Sequence, residues 1–461
     1  MVRCATLPPQ QQQVGAPHST DNSALVHDRL AQMQQRLERQ CQPRMPYVPA
    51  PDAEGRAKQL TADISHKQHW SQLHNLWLDN AAEFSQFHLT ATLCRLARLA
   101  CRDGIAASDR PELFKFSGAL LLAVRESVLQ LDSRGLAQCL WAYAKLQSAA
   151  PHSSSSGDAA AATLSATLLQ EGRFQQLQPS QLSQAAWAAA TLQDMGMVLP
   201  VGWWAANEQR ALQLMQYLKP SEAACCAWAC TSGGRRMLAA LAVALQGHVV
   251  QMSGVYRARE LLQVMLALAA AQQPQHQQQV QSQQLQQAAL FEGQAQSRST
   301  AEQASSASWL AVCYSRLDQE APCMSATEVS TALLALSRLG ARNRPAANSS
   351  SNDGTPYHPL PVPLSTRLLR RAHDTLPNSS PRDLVTLAYA LAKLQLNPGP
   401  WWWARVLPFS AAALHVCTPS MLAVLAWSMA KLDVQPGPGW TQELLQHTGE
   451  HVMGLGAVFL P

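Results

Sequence analysis

At 461 residues the chain is long enough for two or three ordinary domains or for one extended array, and its formal net charge of +5 is a mild excess that permits a polyanionic partner without arguing for one. Charged residues make up only 14 %, and Ala and Leu outnumber the β-branched residues, a balance that favours helices over sheets. No run approaches the roughly 18 apolar residues of a membrane span, and the 11 cysteines show neither metal-ligand nor disulfide-framework spacing.

Taken in chain order, residues 1–65 read as a disordered or targeting segment. The first twenty carry Arg3 and no acid, which fits an organelle transit peptide, and they lack the apolar core of a secretory signal. Residues 66–271 read as helical repeats one to five. Within them, MLAALAVALQ (237–246) reads as a short buried helix, and Cys225, Cys226 and Cys230 as small helix-packing residues in a reducing compartment. Residues 272–306 form a Gln-rich low-complexity insertion. Residues 307–461 hold repeats six to eight and a partial ninth that opens at Trp440, interrupted by a polar Asn/Ser-rich insertion at 341–358. Both insertions lack the apolar surface to order themselves and are expected to protrude as disordered loops.

The repeat is plainest near the C-terminus. PRDLVTLAYALAKLQLNPGPWW from residue 381 and PSMLAVLAWSMAKLDVQPGPGW from residue 419 share eleven of twenty-two positions without a gap. A template built on Trp427 finds eight copies, anchored at Cys94, Trp141, Trp187, Trp228, Leu266, Leu334, Tyr389 and Trp427. Each copy reads as two helices. The second opens on Pro179, Pro220, Pro381 or Pro419 in four copies, where the missing N–H is harmless. Ser380 and Thr418 stand as N-caps, and Asp383 completes a box with Ser380. The first helix often opens on Trp after a Pro-rich turn, as at Trp203, Trp401 and Trp440. This pattern predicts an all-α fold: a right-handed α-solenoid of tandem helix-turn-helix repeats of about 38 residues.

On a helical wheel of LAQCLWAYAKLQ, Leu136, Cys139, Leu140, Tyr143 and Leu146 cover one broad face, with Trp141 nearly opposite its centre. The Trp column therefore has two readings, packing between repeats or stacking on nucleobases. A narrow strip remains, holding Gln138, Ala142 and Lys145. The Lys145 column contains Arg98, Lys145, Arg338, Lys393 and Lys431, and the Gln138 column contains Gln138, Gln184, Gln263, Thr331 and Thr386. As a ligand surface, the cations would meet successive RNA phosphates and the polar residues would contact bases. The competing account is that cations in a last helical turn merely complement the helix dipole. No phosphate-binding Gly-rich loop, nucleophile motif or zinc pattern is present. The sequence therefore supports neither an enzyme nor a catalytic residue, metal or cofactor. Glu222 and Glu260 sit in different repeats with no partner evident.

The P-x-P-x-W-like openings (Pro436, Pro438, Trp440; Pro398, Pro400, Trp401) and the core from Ser380 to Leu394 resemble the octotricopeptide repeat, over roughly residues 70–455. The resemblance implies an organelle protein of the green lineage, in chloroplast or mitochondrion, that binds single-stranded RNA of a particular transcript sequence-selectively. Its expected partners are single-stranded organelle RNA and other organelle RNA-processing proteins, and it would support transcript processing, stability or translation. Leu-rich arrays in FAST-kinase-like proteins are similar. Many members carry a C-terminal RAP domain with a nuclease-like fold; none is read here, so cleavage is not expected. The alternative function is a protein–protein interaction scaffold on the same helical framework.

Overall fold

The computed structural model describes residues 53–103, 105–149, 155–170, 172–286, 309–342 and 358–458. It is helical throughout apart from a two-residue parallel pairing of Ala341–Arg342 with His358–Pro359, which brings together the two ends of the 341–358 insertion. Residues 343–357, the greater part of that insertion, lie outside the described residues, as do 1–52 and 287–308.

Eighteen helices of two or more turns can be followed among the described residues. They are α1 (Ala53–His66), α2 (Trp70–Asn80), α3 (Gln86–Asp103), α4 (Arg110–Glu126), α5 (Ser133–Ala149) and α6 (Ser155–Leu169). Next come α7 (Pro179–Asp194), α8 (Trp203–Leu214), α9 (Pro220–Thr231), α10 (Ala239–Gln251), α11 (Ala258–Gln286) and α12 (309–320). The last are α13 (Ala326–Arg338), α14 (Val362–Thr375), α15 (Pro381–Leu394), α16 (Pro400–Ala413), α17 (Pro419–Lys431) and α18 (Pro438–Val458).

The helices sort into two rows. Each odd-numbered helix packs most heavily on the odd-numbered helices before and after it, and even-numbered helices such as α4 and α6, or α16 and α18, pack on one another behind them. All eight sequence anchors fall in the odd row, from Cys94 in α3 to Trp427 in α17. The protein is therefore a helical repeat array built from sequence-adjacent contacts.

The odd row is close-packed because its facing residues are small. Ala185, Ala186, Ala188, Ala189 and Ala190 of α7 are at most 1 % exposed, and Ala223, Ala224, Ala227 and Ala229 of α9 are fully buried. Small side chains let neighbouring axes approach to the lower end of the usual 8–10 Å or so. Cys226 and Cys230 belong to this packing, as expected, and burial pushes both thiols up.

Two expectations about boundaries change. The array starts before residue 66: α1 sits in the odd row, burying Leu60 and Ile64, and Ala57 offers its carbonyl to His88 Nε2 at 3.0 Å. At the other insertion, α11 continues to Gln286, so the first part of the Gln tract extends the helix. The segment 237–246 is half a core helix: Leu241 and Leu245 are buried in α10, while Leu238 and Val243 stay exposed.

Helix starts follow their sequences. Pro179, Pro220, Pro381 and Pro419 each open an odd helix. Ser380 Oγ accepts from the Asp383 N–H while the Asp383 carboxylate accepts from the Ser380 N–H, the reciprocal box anticipated there. Glu222 and Glu260 turn out to hold the same station. They accept from the N–H groups of Lys219 and Arg257 at 2.9 and 3.0 Å, so both are helix caps. The two clearest copies also end alike, with Gln395 and Asp433, 38 positions apart, in the left-handed region at φ 54° and 53°.

Candidate nucleic-acid interface

An odd helix is covered on both sides by its neighbours in the row and behind by the even row, which leaves one strip accessible. On α5 that strip holds exposed Arg134 followed by half-buried Gln138, Trp141 and Lys145. These are seven, three, zero and four places from the anchor, which is one helix face. Leu136, Ala137, Cys139, Leu140, Ala142, Tyr143, Ala144 and Leu146 are all at most 2 % exposed.

The expected strip of Gln138, Ala142 and Lys145 is thus corrected at its middle member. Ala142 is fully buried between helices, and Trp141 takes its place beside Gln138 and Lys145. The wheel misplaced the Trp because it treated every apolar residue as core-seeking. In the array, the indole lies on the core with one side and leaves the other in the strip.

The five cations of the column all lie on this strip. Arg98, Arg338, Lys393 and Lys431 are exposed and Lys145 is half-buried. Among the described residues none of them has a carboxylate within ion-pair distance. Instead, several lie against rings of the following repeat. The Arg98 guanidinium is 5.9 Å from the Trp141 ring centre, the Lys145 ammonium 4.1 Å from that of Trp187, and Lys393 sits 5.4 Å from Trp427 and 5.6 Å from Tyr389. Cation and ring alternate from repeat to repeat, each pair contributing about 0.5–1 kcal/mol at such accessible sites. Tyr389 and Trp427 also touch each other, with ring centres 5.7 Å apart. The Trp column therefore does join repeats, but through its accessible faces.

Gln138, Gln184, Gln263, Thr331 and Thr386 are half-buried on the same strip, one per repeat. Their backbones are held in helices, and among the described residues their side chains make no internal hydrogen bond. Three further cations, Arg134, Arg259 and Arg382, lie on the strip one turn before the Gln138 column, seven places before Trp141, Leu266 and Tyr389, and are exposed. A search at that offset from each anchor would have found them in the sequence.

A second periodic set of basic residues lies on the outer elements and does something else. Arg173 Nη1 donates to the Leu131 carbonyl at 2.7 Å, Arg210 Nη2 to Leu177 at 2.9 Å, and His248 Nε2 meets Leu218 at 2.9 Å. Arg316 Nε donates to Tyr256 at 2.9 Å and Arg371 Nε to Met324 at 2.6 Å. Each of these carbonyls lies two residues before an odd helix begins. Each bond therefore ties an outer element back to the entry of the odd helix of the preceding copy, satisfying a backbone acceptor that has no helical partner.

Among the described residues no group of His, Cys, Asp and Glu is arranged to hold a metal ion. No helix is long and apolar enough to cross a membrane. Cys94, at the anchor station of α3, and Cys225, at the Gln138 station of α9, are pushed by burial to about 11 and about 12, so neither is a ready nucleophile. Compared with known proteins, the chain matches no family model and no curated protein.

Proposed function

We propose that the protein is a right-handed α-solenoid of the octotricopeptide kind that binds single-stranded RNA in a chloroplast or mitochondrion, supporting transcript processing, stability or translation. The observation that carries this reading is the strip itself: cations without carboxylate partners, half-exposed rings and unbonded polar side chains occupy fixed stations on one face along the odd row, all three together on α5 and α15. In this reading the cations Arg98, Lys145, Arg338, Lys393 and Lys431 meet backbone phosphates. The rings offer flat faces to unpaired bases, and Gln138, Gln184, Gln263, Thr331 and Thr386 reach base edges. No catalytic residue is assigned.

The test is binding of a random-sequence single-stranded RNA of about 25 nucleotides across a salt series, long enough to cover several repeats at about one base each. RNA binding requires an affinity that falls steeply with salt. Weak, salt-insensitive binding would sink it, and would favour the scaffold reading, in which the same strip docks another protein.

A further inference from the structure

The strip is not uniform along the array. The cation column runs Arg98, Lys145, then Thr191, Ser232 and Ala270, then Arg338, Lys393 and Lys431. Seven places before the anchors, on the same face, stand Arg134 in repeat two, Arg259 in repeat five and Arg382 in repeat seven, but Ser180 and Ser221 in repeats three and four. Repeats three and four therefore present no cation at either station.

What lies around that gap is averse to phosphate. Ser232, at the cation station of repeat four, donates to the Asp194 carboxylate at 2.6 Å, and the carboxylate of Glu222 caps α9 beside the strip. Arg235, three residues on from Ser232, is engaged elsewhere: Nη1 donates to Gln193 Oε1 at 2.7 Å, Nη2 bonds the Ala229 carbonyl, and its guanidinium lies 3.9 Å from the Trp204 ring centre. Gly233 and Gly234, at φ 62° and 75°, allow the tight turn that carries Arg235 back toward α7 and α8.

The gap also changes what happens to the aromatic column. Trp141, Trp187 and Trp427 each have a cation from the preceding repeat over the ring. Trp228 follows repeat three, where Thr191 holds that station, and among the described residues no cation lies over its ring. It is half-buried, one side on the core, with half-buried Cys225 and Thr231 on the same face of α9.

We infer that the RNA-binding face has three parts: two cationic arms, repeats one to two and five to eight, that hold phosphates, and between them a neutral station at Trp228 where an unpaired nucleobase stacks without phosphate contact. This rests on the RNA-binding reading. It separates two kinds of binding energy along one strip, since phosphate contacts release counterions and stacking does not.

The experiment compares Trp228→Ala, Trp228→Phe and the double variant Lys145→Gln/Lys393→Gln, with the same random-sequence RNA and the full chain, from low to high salt. Trp228→Ala is expected to lose about tenfold in affinity, within the range of one base–aromatic stack, with an unchanged salt slope. The Phe variant, which keeps a flat ring and the core contact, is expected to recover most of that loss. The double variant is expected to lower the slope by about 1.4, near 0.7 for each single-strand phosphate. The inference is overturned if Trp228→Ala binds as wild type, if it reduces the slope as the lysine variant does, or if Phe fails to rescue it. If wild type itself binds RNA without salt dependence, the RNA reading falls first and this inference with it.

Discussion

Two columns of basic residues run through this molecule with the same period, and they do different work. Those of the outer elements, Arg173, Arg210, His248, Arg316 and Arg371, each meet a backbone carbonyl at the entry of an odd helix. Those of the odd row, Arg98, Lys145, Arg338, Lys393 and Lys431, have no carboxylate within reach among the described residues, and three of them lie against rings. Recurrence at a fixed interval therefore shows only that a residue serves the repeat. Whether it serves the fold or a ligand is decided by what its polar atoms already touch.

The largest expected effect would come from removing the odd-row column. Changing Arg98, Lys145, Arg338, Lys393 and Lys431 together to Gln should lower the salt slope of RNA binding by about 3.5, at about 0.7 per phosphate. Thermal stability should move little, because four of the five side chains are exposed. A stability loss as large as the binding loss would place this column with the struts.

The reverse pattern is expected in the even row. Arg210→Met leaves the Leu177 carbonyl without its donors at 2.9 and 3.2 Å, and should destabilise the third repeat by about 1–3 kcal/mol while the salt slope stays put. Hydrogen exchange over α7 and α8 reads this locally, which suits an array whose repeats can open separately.

His248 makes the strut sensitive to pH. Burial lowers its folded pKa below 6.5, and the backbone bond to Leu218 opposes this only in part. Its Nε2 faces the Leu218 carbonyl at 2.9 Å and its Nδ1 the Tyr256 hydroxyl at 2.8 Å, so the neutral ring serves both. A group held neutral in the fold takes up its proton first in the unfolded chain. The stability it contributes is therefore present above pH 6.5 and is lost as pH falls through that value toward the folded pKa. Exchange protection of α10 should fall on acidification across this window, and His248→Gln should flatten the profile. A profile equally steep in the variant would assign the effect to another group.

The smallest effect concerns a single ring pair. Lys145→Gln removes the ammonium 4.1 Å from the Trp187 ring centre and should cost about 0.5–1 kcal/mol, with a shift in the emission of Trp187. An unchanged spectrum in a Trp187-reporting background would mean that the cation does not rest on that ring in solution.

Much of this could be read from the sequence. The paired copies at 381 and 419 located the repeat, the prolines and Ser380 marked helix starts, and a period of 3.6 separated a broad apolar face from a narrow polar one. All three are local signals, carried within one helix or its cap. Other assignments needed the assembled rows. Glu222 and Glu260 looked partnerless because their partners are backbone N–H groups, which no side-chain pattern displays. Ala142 looked accessible and Trp141 did not, because a wheel of one helix cannot show how wide a face two neighbours cover.

The sequence alone thus determined that this chain is a succession of paired helices and which residues recur at each station, since helix period, capping and repeat spacing are properties of short segments. Tertiary structure alone decided which recurring cations are bound to the fold and which stand on its accessible strip. A carbonyl or a ring some 30 to 60 residues away becomes a partner only when the rows pack.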